Sequence, residues 1–316
     1  MVLVFGCTST PPKPSAGTET PTPTPAQSAP ASGEPSQSSS GPATVEPSTA
    51  PQATSAPTPQ ATGVAAEVVA PGTLTVCTAL VGAPATSTDD TGQLVGYNVA
   101  YATELASRLG LTPVIQQVDF SALLPMLQAH TCDISVASQN ITAERSAQVS
   151  LIPYTQAKEG FPVVVQDNNP LKIKNLGDLC GLEVSAADGT TNVDQVKGTG
   201  DFVGQGLNDA CAADGKDAIT LRTFPSESDA VQALLDGSVA AYLGNSNYAA
   251  EYPGEIQTST AVLPGTHQGI GVALDHPALN GAVQAALAAM ISDGTYLNIL
   301  SQYVLSQSLD NISIIP

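Results

Sequence analysis

From residue 72 onward, short apolar runs alternate with amphipathic stretches. Residues 73–79 and 133–137 are rich in apolar and β-branched side chains, a pattern that predicts buried strands. Residues 98–109 place apolar side chains at helical spacing, and the following Gly110 predicts the end of a helix. Because strands and helices alternate in this way, the pattern predicts an α/β fold with mainly parallel sheets.

The alternation continues to the end of the chain. Further strands are predicted at residues 112–118, 161–165, 182–186, 219–224, 239–243 and 268–274. Helices are predicted at 121–128 with Ser121 as its cap, after Thr142, at 202–213, from Ser226 to Gly237, at 277–291 and at 295–305. The two successive βα series predict two lobes with a cleft between them, and the helical tail is expected to return to the first lobe.

The first 71 residues have a different composition. Residues 8–71 consist mainly of Pro, Thr, Ser, Ala and Gln and contain fourteen of the 25 prolines of the chain, and no aromatic residue occurs between Phe5 and Tyr97. Such a segment buries too little apolar surface to offset the entropy of ordering. We therefore predict a disordered linker over 8–71.

Cys7 precedes this linker and follows Val4-Phe5-Gly6. An apolar stretch and a small residue before a cysteine are typical of a bacterial lipoprotein signal, in which the cysteine receives lipid. Residues 1–7 are therefore predicted to be the remnant of such a signal, with a natural start further upstream. A chance cysteine near a wrongly chosen start is the alternative.

The chain carries 28 acidic and nine basic residues, a formal charge of −19. This charge argues against a nucleic-acid partner. No apolar run approaches the roughly 20 residues that cross a bilayer. The glycines between 198 and 204 do not have dinucleotide spacing, and no cofactor is expected.

Four further cysteines allow three disulfide pairings. In an exported protein they are expected to be oxidised. Cys77 and Cys132 fall in one predicted lobe and Cys180 and Cys211 in the other, so pairing within each lobe is favoured. A zinc site is the competing interpretation, but no CxxC motif occurs, and the three histidines are isolated along the sequence, which predicts surface positions and no metal site.

Several segments together resemble the family 3 extracellular solute-binding proteins, the amino-acid receptors of ABC importers. The resemblance spans residues 72 to 305 and rests on the order and spacing of GQLVGYNVAYATELASRLGL, VDFSALLPMLQ, CDISVASQNITAERSAQV, DGTTNVDQV, LLDGSVAAYL and DGTYLNIL. It implies a type II periplasmic-binding-protein fold. Lobe one would comprise 72–157 plus 266–316 and lobe two 158–265, with the ligand trapped when they close.

Arg145 is one of only three arginines, and it follows a predicted strand. A planar guanidinium can hold a carboxylate through two hydrogen bonds. The resemblance implies that Arg145 binds the α-carboxylate of the ligand. Thr190 and Thr191 begin a helix and, by resemblance, hold the other side of that carboxylate. A solvated arginine and an ordinary helix cap are the alternatives.

Three more positions carry over by resemblance. Ser138 and Asn140 stand where the family commonly has Gly and Thr that contact the ligand, and Phe120 matches an aromatic residue that packs on it. A structural turn and ordinary core packing are the respective alternatives.

The chain departs from the family at two acidic positions. The acid that pairs with the ligand's ammonium is replaced by Asn245, and the acid at the end of the first strand by Ala79. Asp188 could supply the missing charge, or the ligand could lack an ordinary ammonium. A small polar carboxylate therefore remains the predicted ligand class.

The sequence thus predicts a monomeric, lipid-anchored, extracytoplasmic receptor that delivers a small carboxylate, with an amino acid favoured, to an ABC permease and its ATPase without chemistry. An enzyme on the same fold, such as a dehydratase, is one alternative. A ligand-sensing ectodomain or an adhesin is another.

Overall fold

The computed structural model describes residues 63–156 and 160–303. In this part of the chain the strands are β1 (Thr73–Thr78), β2 (Ser87–Thr88), β3 (Leu94–Val95), β4 (Thr112–Gln117), β5 (Ile134–Asn140), β6 (Ser150–Gln156), β7 (Phe161–Gln166), β8 (Glu183–Ala187), β9 (Thr220–Phe224), β10 (Ala241–Tyr242), β11 (Ile256–Leu263) and β12 (His267–Val272). The helices are α1 (Val64–Glu67), α2 (Tyr97–Arg108), α3 (Leu123–Gln128), α4 (Ala143–Ser146), α5 (Thr191–Lys197), α6 (Leu207–Ala213), α7 (Glu227–Leu235), α8 (Tyr248–Glu251), α9 (Pro277–Ser292) and α10 (Thr295–Tyr303).

Lobe one is built on a five-stranded sheet of order β4-β1-β5-β12-β6. Strands β1, β4 and β5 are parallel, and β12 runs antiparallel to both β5 and β6. The apolar residues that predicted β1 and α2 form its core, together with side chains of α3, α9 and α10; fully buried members include Leu74, Val76, Leu105, Leu123, Ile134, Val272, Leu279 and Tyr296.

Lobe two repeats this arrangement in the sheet β11-β7-β10-β8-β9. Strands β8, β9 and β10 are parallel, and β7 runs antiparallel to β10 and β11. The sheet separates two apolar clusters, whose members include Val163, Val165, Leu179 and Val184 on one face and Val164, Ala230, Leu234 and Tyr242 on the other. The predicted two-lobed α/β fold is confirmed.

The chain passes between the lobes at two neighbouring points. The end of β6 pairs with the start of β12 through Gln156 and His267, and the start of β7 pairs with the end of β11 through Phe161 and Leu263. The predicted lobe boundary at 157 and 158 lies outside the described residues, and the one at 265 and 266 lies between β11 and β12.

The helical tail packs on lobe one, as predicted. Helix α9 contacts α1, α2 and β6, and α10 contacts α2 and α9. The Tyr296 hydroxyl donates to the carbonyl oxygen of Tyr154 at 2.6 Å, and its ring stacks on Tyr101 with centroids 4.8 Å apart. Within the described residues, no helix combines the length and the apolar character needed to cross a membrane.

The predicted linker extends too far towards the C-terminus. Residues 63–71 belong to the folded part, because α1 packs against α9 and Val64 is buried to 1% exposure. The carboxylate of Glu67 accepts hydrogen bonds from the N–H groups of Ala278 and Leu279 at the start of α9. Cys7 and residues 8–62 lie outside the described residues.

Two local predictions were wrong. Ser121 does not cap α3, because a 3-10 turn over Phe120–Ala122 precedes that helix. The helix predicted over 202–213 is divided into a 3-10 turn (Gly200–Phe202) and α6.

The histidines lie at the surface as predicted, with His130 and His267 exposed and His276 partly exposed. His130 and His276 are distant in sequence but neighbours in space: their rings stack with centroids 4.5 Å apart beside Asp275.

The predicted disulfide pairing is confirmed. Cys77 at the end of β1 is bonded to Cys132 just before β5, with Cα atoms 5.8 Å apart. Cys180 and Cys211 pair in lobe two, with Cα atoms 5.6 Å apart. Each disulfide therefore crosslinks one lobe, and neither restricts movement between the lobes.

Candidate functional site

A cleft of about 570 Å³ lies between the lobes, a volume in the usual range for small-molecule sites. It lies where β5, β8 and β10 end, so the carboxyl ends of strands from both sheets face it. Seven of the eight predicted ligand-contacting residues line it: Phe120, Ser138, Asn140, Arg145, Thr190, Thr191 and Asn245.

Arg145 projects into this cleft from the short helix α4. The Thr142 hydroxyl caps that helix by accepting from the Arg145 N–H at 3.1 Å, as predicted. The guanidinium donates to the carbonyl oxygens of Asn140 at 2.9 Å and Gly189 at 2.7 Å, one in each lobe. It also lies 5.6 Å from the centroid of the Phe120 ring, a cation–π distance.

The charge of Arg145 is enclosed without an ion pair. The residue is only 7% exposed, and in the described part of the chain no carboxylate forms a salt bridge with it. Burial lowers the pKa of its guanidinium, although Asp194, Glu144 and Asp201 act in the opposite direction. Its direct contacts are neutral carbonyls and an aromatic face, with the three acids acting only from a distance, an arrangement suited to an incoming anion.

Thr190 and Thr191 lie at the start of α5, opposite Arg145. The Thr190 hydroxyl donates to the Ala187 carbonyl at 2.7 Å and does not cap α5. The Thr191 hydroxyl accepts from the Asn140 Nδ2 across the cleft at 2.6 Å. The Oδ1 atom of Asn140 is buried and has no partner in the described part of the chain, so it remains a free acceptor.

Ser138 ends the regular part of β5 in an unusual conformation. Its φ of 50° is in the left-handed region, which is strained for a serine. The Tyr154 hydroxyl accepts from the Ser138 N–H at 3.0 Å and donates to the Asn98 Oδ1 at 2.6 Å. Burial raises the pKa of neighbouring Tyr97 to about 12, so its hydroxyl beside Ser138 Oγ keeps its proton.

Asn245 follows β10 and bonds to lobe one. Its Nδ2 donates to the carbonyl oxygens of Val81 at 2.7 Å and Ala83 at 3.3 Å. This close contact depends on Gly82, where an added Cβ would lie 2.7–2.9 Å from Tyr248 and Asn245. The side chain that replaces the family's acid therefore joins the two lobes in this structure.

Asp188 is not among the residues that line the cleft. It follows β8, is partly exposed, and its N–H donates to the Phe224 carbonyl at the edge of the lobe-two sheet. The structure therefore gives no support to Asp188 as the missing countercharge. Its sequence position beside Gly189 suggested proximity, but the turn before α5 directs it elsewhere.

Glu227 also lines the cleft, although no sequence motif marks it as a site residue. It is the first residue of α7, directly after the cap Ser226, whose hydroxyl accepts from the Asp229 N–H. Glu227 is only 6% exposed, and burial raises the pKa of its carboxyl group to about 8. Acidic residues in the first turn are typical of a helix start, so the sequence had a local explanation for Glu227. Its position in the cleft becomes visible only in the folded structure.

The sequence of the two lobes matches a known protein family. Residues 74–306 match the family described as bacterial extracellular solute-binding proteins, family 3. The chain belongs to this family. The expectation from the sequence resemblance is thereby confirmed, and the fold of this solute-binding protein is the one its segments indicated.

Two proteins named for their ligands are similar to this chain in sequence, and a solved structure is similar to it in fold. The chain is 28% identical over 225 residues, 70% of each chain, to the arginine-binding protein ArgT of Corynebacterium glutamicum. It is 25% identical to the lysine/arginine/ornithine-binding periplasmic protein of Escherichia coli, covering 77% of this chain and 92% of that one. A solved ancestral arginine-binding protein bound to arginine has a TM-score of 0.63 at 28% identity, covering 73% and 98%.

Proposed function

We propose that this solute-binding protein captures a small carboxylate, specifically an amino acid, between its two lobes. The observation that carries the proposal is the enclosed guanidinium of Arg145, which lines the cleft without an ion pair in the described part of the chain. Six further lining residues are proposed to contact the ligand: Phe120, Ser138, Asn140, Thr190, Thr191 and Asn245. The relatives named for amino acids support the ligand class.

Replacement of Arg145 tests this role. We expect Arg145→Ala to weaken ligand binding by about 2–5 kcal/mol, because it removes one partner of a buried charge pair. Arg145→Lys should also bind more weakly than the wild type, since an ammonium lacks the two-bond geometry of a guanidinium. Isothermal titration calorimetry measures both.

Arg222→Ala is the matched control. Arg222 also lies over an aromatic ring, 5.4 Å from the Phe224 centroid, but it is on the surface of lobe two and pairs with Glu183. Its replacement should leave the affinity unchanged. Equal affinity of Arg145→Ala and the wild type would overturn the proposed role of Arg145.

The ligand can be identified by a thermal-shift screen of the twenty L-amino acids and of related carboxylates. A compound that binds the native state raises the melting temperature, and at one fixed concentration the shift is larger for a tighter ligand. Amino acids with cationic side chains are the first candidates, because two relatives are named for them. A screen in which no amino acid shifts the melting temperature would refute the ligand class.

The receptor is proposed to act as a monomer and to deliver its ligand to an ABC permease with its ATPase. Cys7 is proposed to carry the lipid anchor, with residues 8–62 as linker and the two lobes meeting near 157/158 and 265/266. Cys7→Ser should move the protein from the membrane fraction to the soluble fraction of cells. Retention in the membrane would contradict an anchor at Cys7.

We propose that the site performs no chemistry on its ligand. The two relatives described above are named as binding proteins. Among the described residues that line the cleft, the carboxyl groups belong to Glu227 and Glu251, and no histidine is present. Mass spectrometry should recover the bound ligand intact after prolonged incubation, and a product would favour the dehydratase-like alternative.

A further inference from the structure

The carboxylate of Glu227 is held against the polypeptide backbone inside the cleft. Its Oε2 accepts from the Asn245 N–H at 3.4 Å. Gly244 makes this approach possible, because a Cβ there would collide with the Glu227 carboxylate and the Tyr242 hydroxyl. A buried acid with one long hydrogen bond is poorly satisfied, since an ionised carboxylate can accept several.

No cation of the described chain neutralises Glu227. The salt bridges of the described residues do not include it. Arg145 lines the same cleft, but the acids that influence it are Asp194, Glu144 and Asp201. The cleft therefore presents a cation and an acid that are not paired with each other, a distribution complementary to a ligand that carries both charges.

Asn245 cannot take the place of this acid. Its Nδ2 is engaged with the carbonyl oxygens of Val81 and Ala83, and its side chain carries no charge. Its Oδ1 accepts from the Asn247 N–H at 3.0 Å. Asn245, at the position where the family has an acid, thus holds the two lobes together. A carboxylate that pairs with a cationic group of the ligand has to come from another element.

We propose that Glu227 is the acidic anchor of the site: it binds a positively charged nitrogen of the amino acid and releases a proton as the ligand enters. The inference rests on the proposed function and adds the second charge that the ligand must carry. In the closed complex the ligand's carboxylate would meet Arg145 and its cationic nitrogen would meet Glu227.

The surroundings of Glu227 determine the sign of the pH dependence. The titratable groups near it are Asp229 on α7, Tyr242 on β10, Tyr248 and Glu251 on α8, and Asp119 of lobe one, none of which is cationic. With its pKa raised to about 8, the carboxyl is protonated in the free protein at pH 7. A bound cation favours the ionised form, so binding releases a proton and affinity rises with pH.

Calorimetry provides the test, with the L-amino acid that gives the largest thermal shift as the probe. For the wild type we expect affinity to increase by about tenfold per pH unit between pH 6 and pH 8 and to level off above. Titrations at pH 6.5 in buffers of different ionisation enthalpy should show the release of about one proton. Glu227→Gln should abolish both effects and bind at least about tenfold more weakly at pH 8.5.

Glu255→Gln is the control for the lost charge. Glu255 is exposed on lobe two and does not line the cleft, so its replacement should preserve the affinity and the proton release. The N-acetyl derivative of the probe identifies the nitrogen. If it binds without proton release, Glu227 meets the α-ammonium; if proton release persists, Glu227 meets a cationic side chain.

The outcomes separate this inference from the proposed function. Tight binding by the wild type with no proton release, or unchanged binding and proton release in Glu227→Gln, would overturn the anchor and leave the amino-acid receptor intact. Failure of all twenty amino acids to bind would reject the proposed ligand class and, with it, the anchor. The melting temperature of each variant shows whether it has folded.

Discussion

Two ionisable residues, Arg145 and Glu227, are enclosed in the cleft. Each is more than nine-tenths buried and neither has an ion-pair partner in the described part of the chain. Burying an ionisable group without an ion-pair partner lowers stability, and proteins keep such groups mainly where function requires them. The cost is expected to be recovered when a ligand pairs with both.

At Glu227 this cost can be measured in the ligand-free protein. The pKa raised from 4.5 to about 8 means that the folded protein keeps a proton that the unfolded chain loses between these values. The contribution of Glu227 to stability therefore falls as pH rises through this window. We expect Glu227→Gln to be more stable than the wild type by up to about 3 kcal/mol at pH 7 and equally stable at pH 4.

Urea unfolding at the two pH values gives this difference directly. Glu255→Gln serves again as the control, because an exposed carboxyl should give no pH-dependent difference. A stability gain for Glu227→Gln that is the same at pH 4 and pH 7 would show that packing, not proton binding, is responsible.

A residue of the site could be predicted from the sequence only where the residues around it formed a recognisable pattern. Arg145 could be found because it is a rare arginine after a strand and inside a recognisable segment. Glu227 could not, because its local sequence is fully explained as a helix start. Only the packing of α7 beside Gly244 and Asn245 brings the carboxylate into the cleft.

Helix α1 has only four residues, but it contributes both a buried side chain and a hydrogen-bonding carboxylate to lobe one. It buries Val64 and places the Glu67 carboxylate on the first N–H groups of α9. The segment after it is held by Asp133, whose carboxylate accepts from the Val69 and Thr75 N–H groups at 2.6 Å each. A short segment thus connects the end of the linker to both β1 and α9.

We expect a chain that begins at residue 72 to be less stable than one that begins at residue 63. Loss of the buried Val64 side chain and of the Glu67 contact should cost about 2–4 kcal/mol. Glu67→Gln alone should cost about 0.5–1 kcal/mol, because a charged residue at a helix N-terminus is replaced by a neutral one. Urea unfolding measures both, and equal stability of the two chain lengths would contradict the assigned role of α1.

The predictability of the elements followed their burial. Strand β1 and helix α2 were found because a continuous apolar run and a regular apolar face are strong local signals. Strand β11, with the sequence IQTSTAVL, was missed because it is an edge strand with polar and exposed positions along its length. Helix α1 was missed because it follows a Pro-rich segment and is too short to show a period.

For the whole molecule, the contacts between the lobes describe a closed arrangement. The side chain of Asn245 in lobe two donates hydrogen bonds to the Val81 and Ala83 carbonyls of lobe one. Asp201, also in lobe two, contacts the first residues of α4 in lobe one. The carboxylate of Asp201 accepts from the Ala143 and Glu144 N–H groups at 2.7 and 3.2 Å. Such contacts exist only when the lobes are together, so they shift the open–closed equilibrium towards the closed state.

Asp201 allows closure to be tested apart from ligand contact, because it does not line the cleft. We expect Asp201→Ala to weaken ligand binding by about 1 kcal/mol, roughly fivefold, mainly through faster dissociation. Stopped-flow measurement of the dissociation rate provides the check. Asp214→Ala is the control, since Asp214 is exposed and pairs with Lys216 within lobe two. An unchanged dissociation rate for Asp201→Ala would rule out this contribution.

The order of the strands along the chain also determines which of the two sheets can be completed first during synthesis. All five strands of lobe two, β7 to β11, are consecutive along the chain, whereas β12 occupies an interior position between β5 and β6 in lobe one. During synthesis a ribosome therefore delivers every strand of the second sheet before the last strand of the first. The half that carries Arg145 cannot assemble its full sheet until the half that carries Glu227 has already left the exit tunnel.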